Sequence, residues 1–404
     1  MEYELRGRYP LKRKEFDERM RNAEKFLFSL GTNDSSEEVG RINAILYLAK
    51  MHYIQEKLGY KPRAMFIGAP DFTFQTSPHK FRKSIPEGGK LIWGDGSYDF
   101  VPGEMEIDLC GILVGAVKNG PNLEEILDSL HEMKEKNLEI DGRKIELRNF
   151  SPGSHFLNLY EIENHEVLDL PKVVAVLHTS SNEMRDSLIN FVNERAEEMQ
   201  TPFGKSYILQ GDDALEYEKR CKYASDFSKR KRKLLFEGIF GGNEIIANHN
   251  HHELIGLNEA IIGCNLIGKD GEVFAITLND SLPAYLVKGK INLSPEKIKE
   301  IASPRAIEGW AYGKLRQANI LPHGGGHKLN EIDSVVKVIL YPDGKVIIPR
   351  CESKTGTKAY VDMKEISHGY RSEDILDRVR SLKLGNHYAT LRIICGIKVD
   401  FESK

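Results

Sequence analysis

The chain has 404 residues, of which 40% are hydrophobic and 29% charged, a composition that excludes a disordered protein and predicts a sizeable buried core. Its 57 Lys and Arg residues nearly balance its 60 Asp and Glu residues. The net charge of -3 gives no overall attraction to nucleic acid, so any polyanion site has to come from local clustering.

Cysteine content and apolar stretches indicate the compartment. The five cysteines are scattered and form no CxxC pair, which argues against a disulfide framework and predicts a cytoplasmic protein. The longest uncharged stretches fall well short of the roughly 18–20 residues of a membrane span. The first residues, MEYELRGRYPLKRKEF, contain no apolar leader, so we expect neither a membrane anchor nor a secretory signal.

The first part of the chain is predicted to begin with helices and to continue with strands. Residues 1–60 form a helical segment, in which Ser35 and Glu38 make a capping box in front of apolar residues at helical spacing. After this segment, short apolar runs separated by Gly, Pro and Asp predict strands. A helix is expected at about 123–136, and Asp141-Gly142 is predicted to connect two short strands.

The second part alternates strands and long helices. Residues 172–178 (KVVAVLH) predict a buried strand that ends in a histidine, and helices over 182–199 and 211–240 make 182–240 a helical segment. Further elements are predicted in this order: strands at 244–247, 260–267, 273–278 and 285–287, a helix from Ser294-Pro295, a hairpin of 335–340 and 345–348 around Pro342-Asp343-Gly344, a helix at 374–382 and a strand at 388–399. Antiparallel hairpins mixed with helices predict an α+β protein, with mixed and antiparallel sheets and surrounding helices in one large domain over 1–404.

Five short segments place metal-binding side chains at a strand end or in a Gly-rich turn. They are Asp108-Leu109-Cys110-Gly111, Gly153-Ser154-His155-Phe156, Val176-Leu177-His178-Thr179, Asn248-His249-Asn250-His251-His252-Glu253 and Pro322-His323-Gly324-Gly325-Gly326-His327. Strand ends are rigid and loops expose their side chains, so such positions suit metal ligands. Single segments have ordinary explanations as well: Cys110 suits a small buried hydrophobic residue, and His178 suits a hydrogen-bonded core histidine.

Two of these segments are more specific than the others. Three histidines within 249–252 favour metal or phosphate binding over a solvated surface. The triglycine between His323 and His327 would let backbone N–H groups approach a phosphate closely, and the alternative is a flexible loop.

A basic run, 229–233 (KRKRK), lies on the predicted helix 211–240, with Lys219, Arg220 and Lys222 before it. One interpretation is a solvated helix face. The other is a face that contacts RNA phosphates, in which case neutralising three of the five charges would weaken RNA binding and reduce its dependence on salt.

In their order along the chain, the segments resemble the motifs of the RtcB family of RNA-splicing ligases, from about residue 60 to the end. Asp108-Leu109-Cys110-Gly111 resembles the family's Asp-x-x-Cys-Gly, and His155-Phe156 resembles the end of its Gly-Asn-His-Phe. His178 begins a segment similar to His-Ser-Gly-Ser, and His249-Asn250 resembles the family's His-Asn. His323-Gly324-Gly325-Gly326 resembles His-Gly-Ala-Gly, the nucleophile motif of the family.

This resemblance implies a set of site residues, with His323 as the catalytic nucleophile. It implies metal ligands at Asp108, Cys110, His155, His178 and His249, with Glu106 as the alternative to Asp108 because the Asp–Cys spacing is two rather than three. It implies nucleotide contacts at Ser281, Tyr285, Gly324, Gly325, Gly326, His327, Lys398 and Asn250. His251 and His252 are expected beside the metal shell or facing RNA, so that His249→Ala would lose metal and His251→Ala would keep it.

The same resemblance implies a GTP-dependent RNA ligase with two Mn²⁺ ions. His323 would form a covalent histidine–GMP, and RNA 3′-phosphate or 2′,3′-cyclic phosphate ends would be joined to 5′-hydroxyl ends, as in tRNA splicing or RNA repair. Its partners would be RNA ends such as tRNA halves, and the need for an activating protein stays open. Zinc or iron is an alternative to manganese, because thiolate is a soft ligand. The alternative functions are a metal-dependent phosphoester hydrolase and a non-catalytic RNA-binding relative of the family.

Overall fold

The computed structural model describes residues 2–118, 122–147, 155–302, 309–330, 332–341, 346–353, 356–360 and 366–397. Three sequence predictions fall outside these ranges: the nucleotide contact at Lys398, the hairpin turn Pro342-Asp343-Gly344, and Gly153-Ser154 before His155.

Helices and strands alternate along the described chain. The helices are α1 (Arg13–Glu24), α2 (Ser35–Lys57), α3 (Pro78–Arg82), α4 (Leu123–Glu135), α5 (His165–Leu168), α6 (Asn182–Arg195), α7 (Gly211–Phe240), α8 (Pro295–Ala302), α9 (Gly309–Arg316) and α10 (Asp374–Leu382). The strands are β1 (Glu2–Leu5), β2 (Leu27–Ser29), β3 (Met65–Thr73), β4 (Glu87–Ile92), β5 (Phe100–Pro102), β6 (Gly111–Ala116), β7 (Glu139–Ile140), β8 (Arg143–Lys144), β9 (Phe156–Ile162), β10 (Val173–Thr179), β11 (Glu197–Thr201), β12 (Gly204–Gln210), β13 (Ile245–Asn250), β14 (His252–Gly256), β15 (Glu259–Ile262), β16 (Cys264–Leu266), β17 (Val273–Thr277), β18 (Ala284–Gly289), β19 (Ile320–Pro322), β20 (His327–Leu329), β21 (Ser334–Leu340), β22 (Val346–Ser353), β23 (Gly356–Tyr360), β24 (His368–Tyr370) and β25 (Gly385–Ile397).

Two large sheets supply most of the residues discussed below. The first has seven antiparallel strands in the order β13-β6-β10-β9-β25-β18-β17. The second has five strands in the order β14-β15-β4-β3-β2, of which only the β2–β3 pair is parallel. Smaller sheets are β1-β21-β22-β23, β11-β12-β5, β16-β19, β20-β24 and β7-β8. Mixed sheets beside many helices confirm the α+β fold class.

Buried apolar side chains join the N-terminal helices to later parts of the chain. The largest cluster of buried apolar residues extends from Phe16 in α1 to Ile366, and α2 is buried along most of its length. A second cluster packs strands β17 and β18 against α10. None of the described helices is both long and apolar enough to cross a membrane.

The N-terminal segment differs from its prediction as a helical region. It contains the strands β1 and β2 as well as two helices. The cap of α2 is Asp34 rather than Ser35, because the Asp34 carboxylate accepts a hydrogen bond of 2.9 Å from the N–H of Glu37. The hydroxyl of Ser35 instead donates to the distant carbonyl of Ile332.

The predicted helix 182–199 also ends early, at Arg195. Residues Glu197–Thr201 form β11, which pairs with β12 so that Thr201 lies opposite Gly204. Thr201 Oγ1 donates to the carbonyl of Gly204, which closes the turn, and Pro202 within that turn cannot continue a helix. The segment 182–240 is therefore two helices separated by a hairpin.

A buried histidine in α2 makes stability depend on pH. The Nε2 of His52 lies 2.8 Å from the carbonyl oxygen of Ala64, and burial lowers the pKa of His52 to about 4 in spite of that carbonyl. The unfolded chain has a histidine pKa of about 6.5, so folding favours the neutral ring. This preference contributes about 3 kcal/mol to the unfolding free energy. The contribution is complete above pH 6.5 and is lost as the pH falls through the folded pKa.

We therefore expect the unfolding free energy of the His52→Gln variant, measured in urea, to change less with pH than that of the wild type between about pH 6.5 and the folded pKa. The glutamine amide keeps a donor for Ala64 and does not titrate. Equal slopes of the unfolding free energy against pH in the two proteins would contradict the assignment to His52.

Candidate active site

The strand register brings a cysteine and two histidines to one end of the seven-stranded sheet. In β10, His178 pairs with Ile112 of β6 and with Phe156 of β9. Cys110 and His155 each stand just before one of these two strands. The possible ligand atoms of Cys110, His155 and His178 all lie within 4.8 Å of one another, and Cys110 Sγ is 2.8 Å from His155 Nε2. These three side chains could hold a metal ion.

His251 extends this cluster toward the second large sheet. It is the single residue between β13 and β14, so it stands where the chain passes from the seven-stranded to the five-stranded sheet. Its Nε2 lies 3.3 Å from the Nε2 of His178. Two nitrogens that are each about 2.0–2.1 Å from one tetrahedral ion lie about 3.4 Å apart, so this separation suits two ligands of the same ion.

His323 follows β19 and faces Asp71 of β3. Its Nδ1 lies 2.9 Å from Oδ2 of the fully buried Asp71 side chain. The angle at Nδ1 does not suit a hydrogen bond, so this contact is electrostatic. The same oxygen accepts hydrogen bonds of 3.1 Å from the backbone N–H groups of His323 and Gly324. Burial by itself would lower the pKa of His323, but the Asp71 carboxylate outweighs it and the pKa is raised. The centroid of the His323 ring is 4.5 Å from that of His251.

The glycines after His323 allow close backbone packing. The N–H of Gly324 donates to Asp71, and the N–H of Gly325 donates to the carbonyl of Leu278. A β-carbon at Gly326, where φ is +60°, would collide with the carbonyl oxygen of Asp71. The N–H groups of Gly324 and Gly325 are thus bonded within the protein, and all three glycines line a cavity.

Cys110, His178, His251, His323 and the three glycines line a cavity of about 700 Å³, which is a common size for a small-molecule site. Among the described residues, its lining carries four carboxylates and two permanent cations, which are Glu87, Glu106, Asp108, Asp280, Lys80 and Arg185. The permanent charges of these described residues are therefore net negative. Such a cavity repels a phosphate unless a cation is bound in it.

Burial favours the uncharged forms of Cys110, His155 and His251. It lowers the pKa of His155 to about 4 and the pKa of His251 well below its usual value. Burial, with a contribution from Asp108, raises the pKa of Cys110 to about 12. Neutral imidazole is the form that binds metals, and a divalent ion stabilises a thiolate that burial alone disfavours. The donor set suits a transition metal rather than the oxygen-seeking Mg²⁺ or Ca²⁺.

His249 lies apart from this cluster, on the edge strand β13. Its Nε2 is 3.0 Å from the carbonyl oxygen of Val273, and its ring packs 4.2 Å from that of Phe274. The sequence prediction put His249 among the metal ligands and His251 beside them; in the structure it is His251 that lies next to His178. The reason is that residue 249 is still within β13 and faces β17, whereas residue 251 has left that strand and reaches His178.

Asp108 lines the cavity but faces cations. Its Oδ2 is 2.5 Å from Nζ of the buried Lys80, and its Oδ1 is 3.8 Å from Nη1 of Arg185. Burial by itself would raise the pKa of Asp108, but the charge of Lys80 lowers it overall. Glu106, the alternative ligand, contacts Nζ of Lys83 at 3.0 Å. The metal-ligand group found in the described part of the chain contains neither carboxylate.

Among the described residues, the cavity lining does not include Ser281 and Tyr285, which were predicted to contact the nucleotide. The hydroxyl of Tyr285 donates to Glu373 at 3.0 Å. The N–H and hydroxyl of Ser281 donate to Asn279, and Asn279 itself lines the cavity. Ser281 is therefore next to the cavity and stabilises the turn that forms part of its wall.

His327 lines the cavity as an aromatic ring without charge. Its ring lies 5.6 Å from that of Phe74 and 5.0 Å from that of His368, measured between centroids. Burial lowers the pKa of His327 to about 4. A neutral ring does not supply the fixed charge of the arginine that the resemblance places here.

The basic run 229–233 does not form one solvated face. Lys231 is buried with its Nζ 2.8 Å from a carboxylate oxygen of Glu183. Arg232 is 0% exposed and donates from Nη2 to the side-chain oxygen of Asn250. Asn250, a predicted nucleotide contact, is thus held inside the protein, and two of the five cations cannot contact RNA phosphates.

Sequence reasoning missed Asp71, Glu87 and Lys80. Glu87 lies 3.2 Å from Nε2 of His252, and both side chains line the cavity. Asp71 is a charged residue within β3, a strand that is buried at every position and otherwise contains no charged residue. A buried charge needs a partner, so a lone carboxylate inside an apolar strand is a signal that could have indicated the site.

Comparison with known proteins adds no information on function to what these residues show. No protein-family model matches the chain, and no curated protein matches it.

Proposed function

We propose that the protein is a metal-dependent RNA ligase of the RtcB type, which joins RNA 3′-phosphate or 2′,3′-cyclic phosphate ends to 5′-hydroxyl ends with GTP. The observation that carries the proposal is the position of His323, whose Nδ1 lies 2.9 Å from Oδ2 of the buried Asp71 while its ring centroid lies 4.5 Å from that of His251. A histidine held by a carboxylate next to a metal-binding group is suited to nucleophilic attack on phosphorus.

The His323–Asp71 contact determines which ring nitrogen reacts. With Nδ1 toward the carboxylate, the tautomer that carries its proton on Nδ1 is favoured and the lone pair is on Nε2. Nε2 attacks the α-phosphorus of GTP, a P–N bond forms, and pyrophosphate leaves with the electrons of the broken P–O bond. The positive charge that develops on the ring is stabilised by Asp71.

Two further transfers complete the reaction. An oxygen of the RNA 3′-phosphate attacks the phosphorus of histidine–GMP, which breaks the P–N bond and forms an RNA–(3′)pp(5′)–G end. The RNA 5′-hydroxyl then attacks the 3′-phosphorus, and GMP leaves. An RNA with a 2′,3′-cyclic phosphate is first hydrolysed to the 3′-phosphate, with cleavage of its P–O2′ bond.

The residues Cys110, His155 and His178 would hold the metal. His251, whose Nε2 lies 3.3 Å from that of His178, would be a fourth ligand beside this group. A metal there supplies positive charge for phosphate oxygens in a cavity whose lining is net negative. The ion also opposes protonation of the neighbouring His323, because like charges repel. Manganese is the ion that the resemblance implies, and zinc or iron would suit the same ligands.

The proposal is tested by incubating the protein with α-labelled GTP and, in turn, Mn²⁺, Zn²⁺ and Fe²⁺. We expect a covalent label on the protein that is labile in acid and stable in alkali, as a phosphoramidate is. γ-Labelled GTP should leave no label, because pyrophosphate departs in the first step. His323→Ala should lose the label completely, whereas His327→Ala, on the other side of the triglycine, should retain a reduced amount.

Two results would contradict the proposal. One is a label that survives in His323→Ala. The other is a wild type that acquires no label with any of the three ions but hydrolyses phosphoesters, which would favour a metal-dependent hydrolase that uses the same Cys/His cluster.

A further inference from the structure

A lysine ammonium lies where the cavity would need a second cation. Lys80 comes from α3 and is only 7% exposed. Its Nζ is 2.5 Å from Oδ2 of Asp108 and 3.4 Å from the backbone carbonyl oxygen of Glu106. Lys80 and Asp108 both line the cavity, beside Cys110. The ammonium is thus a permanent positive charge next to the Cys/His cluster.

Both carboxylates that the sequence analysis named as candidate metal ligands, Asp108 and Glu106, already face protein cations. One oxygen of Asp108 contacts Lys80, and the other is 3.8 Å from Arg185. Glu106 contacts Lys83 at 3.0 Å. A divalent ion at either carboxylate would have to displace a lysine ammonium from a partly or fully buried position, and leaving that ammonium buried without its partner is unfavourable.

The local backbone explains why Asp108 turns toward Lys80. Leu109, between Asp108 and Cys110, has a φ of 57°, in the left-handed region that a leucine rarely adopts. Asp108 and Cys110 are only two positions apart, and the left-handed Leu109 lies between them. Cys110 therefore enters the metal-ligand group, while Asp108 faces α3. In the described residues, that group consists of Cys110, His155 and His178 and does not include Asp108.

We propose that the centre binds one divalent ion, at the Cys/His cluster, and that the Lys80 ammonium takes the place of the second ion implied by the resemblance to RtcB ligases. This inference rests on the metal dependence of the proposed function. Lysine is a compact point charge that suits phosphate oxygens, so Lys80 can supply fixed positive charge to a bound phosphate without any metal loading.

The test is the number of ions bound per chain, measured by equilibrium dialysis of the full chain against Mn²⁺ and, separately, Zn²⁺, followed by elemental analysis. We expect saturation at one ion per chain in the wild type. Lys90→Met is the matched control, since it removes a buried ammonium that pairs with Glu259 at 3.2 Å outside the cavity lining, and it should also bind one ion. Lys80→Met, which keeps the length of the side chain without its charge, should bind a second ion through the released Asp108 carboxylate.

Each other result overturns the inference. Two ions in the wild type would refute it and leave the proposed function in place, whereas no bound ion with either metal would refute the proposed function too. One ion in folded Lys80→Met would show that Lys80 does not exclude a second one. If Lys80→Met does not fold, Asp108→Asn decides: it should keep one ion with an affinity within about 100-fold of the wild type, and a larger loss would make Asp108 a ligand.

Discussion

The His251→Ala variant is expected to lose its bound metal ion, and His249→Ala is expected to keep it. His251 Nε2 lies 3.3 Å from His178 Nε2, the separation expected for two ligands of one ion. His249 directs its ring to Val273 and Phe274 instead. Since even partners outside the ligand shell contribute about 10–100-fold to metal affinity, loss of the ligand His251 should weaken binding by more than about 100-fold.

The measurement is competition of each variant with a chelator of known affinity, for Mn²⁺ and for Zn²⁺. His249→Ala is a close control, because it removes the same side chain two residues away. Equal affinities in the two variants, or loss of metal in His249→Ala alone, would return His249 to the ligand set.

The second large effect is expected for Arg371→Met. Arg371 is 0% exposed and forms two hydrogen bonds with the carboxylate of Asp34, at 2.6 and 2.7 Å. Its guanidinium also donates to the carbonyls of Asp71 and Phe72, and its backbone N–H donates to the carbonyl of Gly326. Removal of one partner of a buried ion pair typically destabilises a protein by about 3–5 kcal/mol.

We expect the unfolding free energy of Arg371→Met to fall by this amount in urea titrations at constant metal concentration. His323 labelling should also decrease at temperatures where the variant is still folded, because the guanidinium positions Asp71 and the triglycine turn. Arg230→Met, which breaks the exposed pair of Arg230 with Asp141, should leave the unfolding midpoint unchanged. Similar stabilities of the two variants would refute the structural role of Arg371.

Elements with strong local signals were predicted well. The helix expected at 123–136 is Leu123–Glu135, and the helix expected at 211–240 is Gly211–Phe240. The Asp141-Gly142 turn joins β7 and β8 as predicted. In these cases, apolar residues at helical spacing or a turn dipeptide act within a few residues, so neighbours in the sequence suffice to determine the structure.

Elements that depend on distant partners were predicted poorly. Residues 197–201 continue the polar pattern of α6, yet they form a strand because they pair with β12, which is itself paired with β5 on its other side. The basic run 229–233 has the composition of a solvated face, but Glu183 and Asn250 hold two of its cations inside the protein. No pattern within these segments reports the groups against which they pack.

The sequence by itself determined the chemistry available to the site: cysteine and histidine donors at the ends of predicted strands, and a histidine followed by three glycines. The tertiary structure alone decided which of these donors meet. It selected His251 over His249, placed the Lys80 ammonium on Asp108, and set Asp71 against His323 across 252 positions of the chain. The physical reason is that metal ligation and ion pairing act over a few ångströms, and strand register and chain crossings between sheets, rather than residue type, determine those distances.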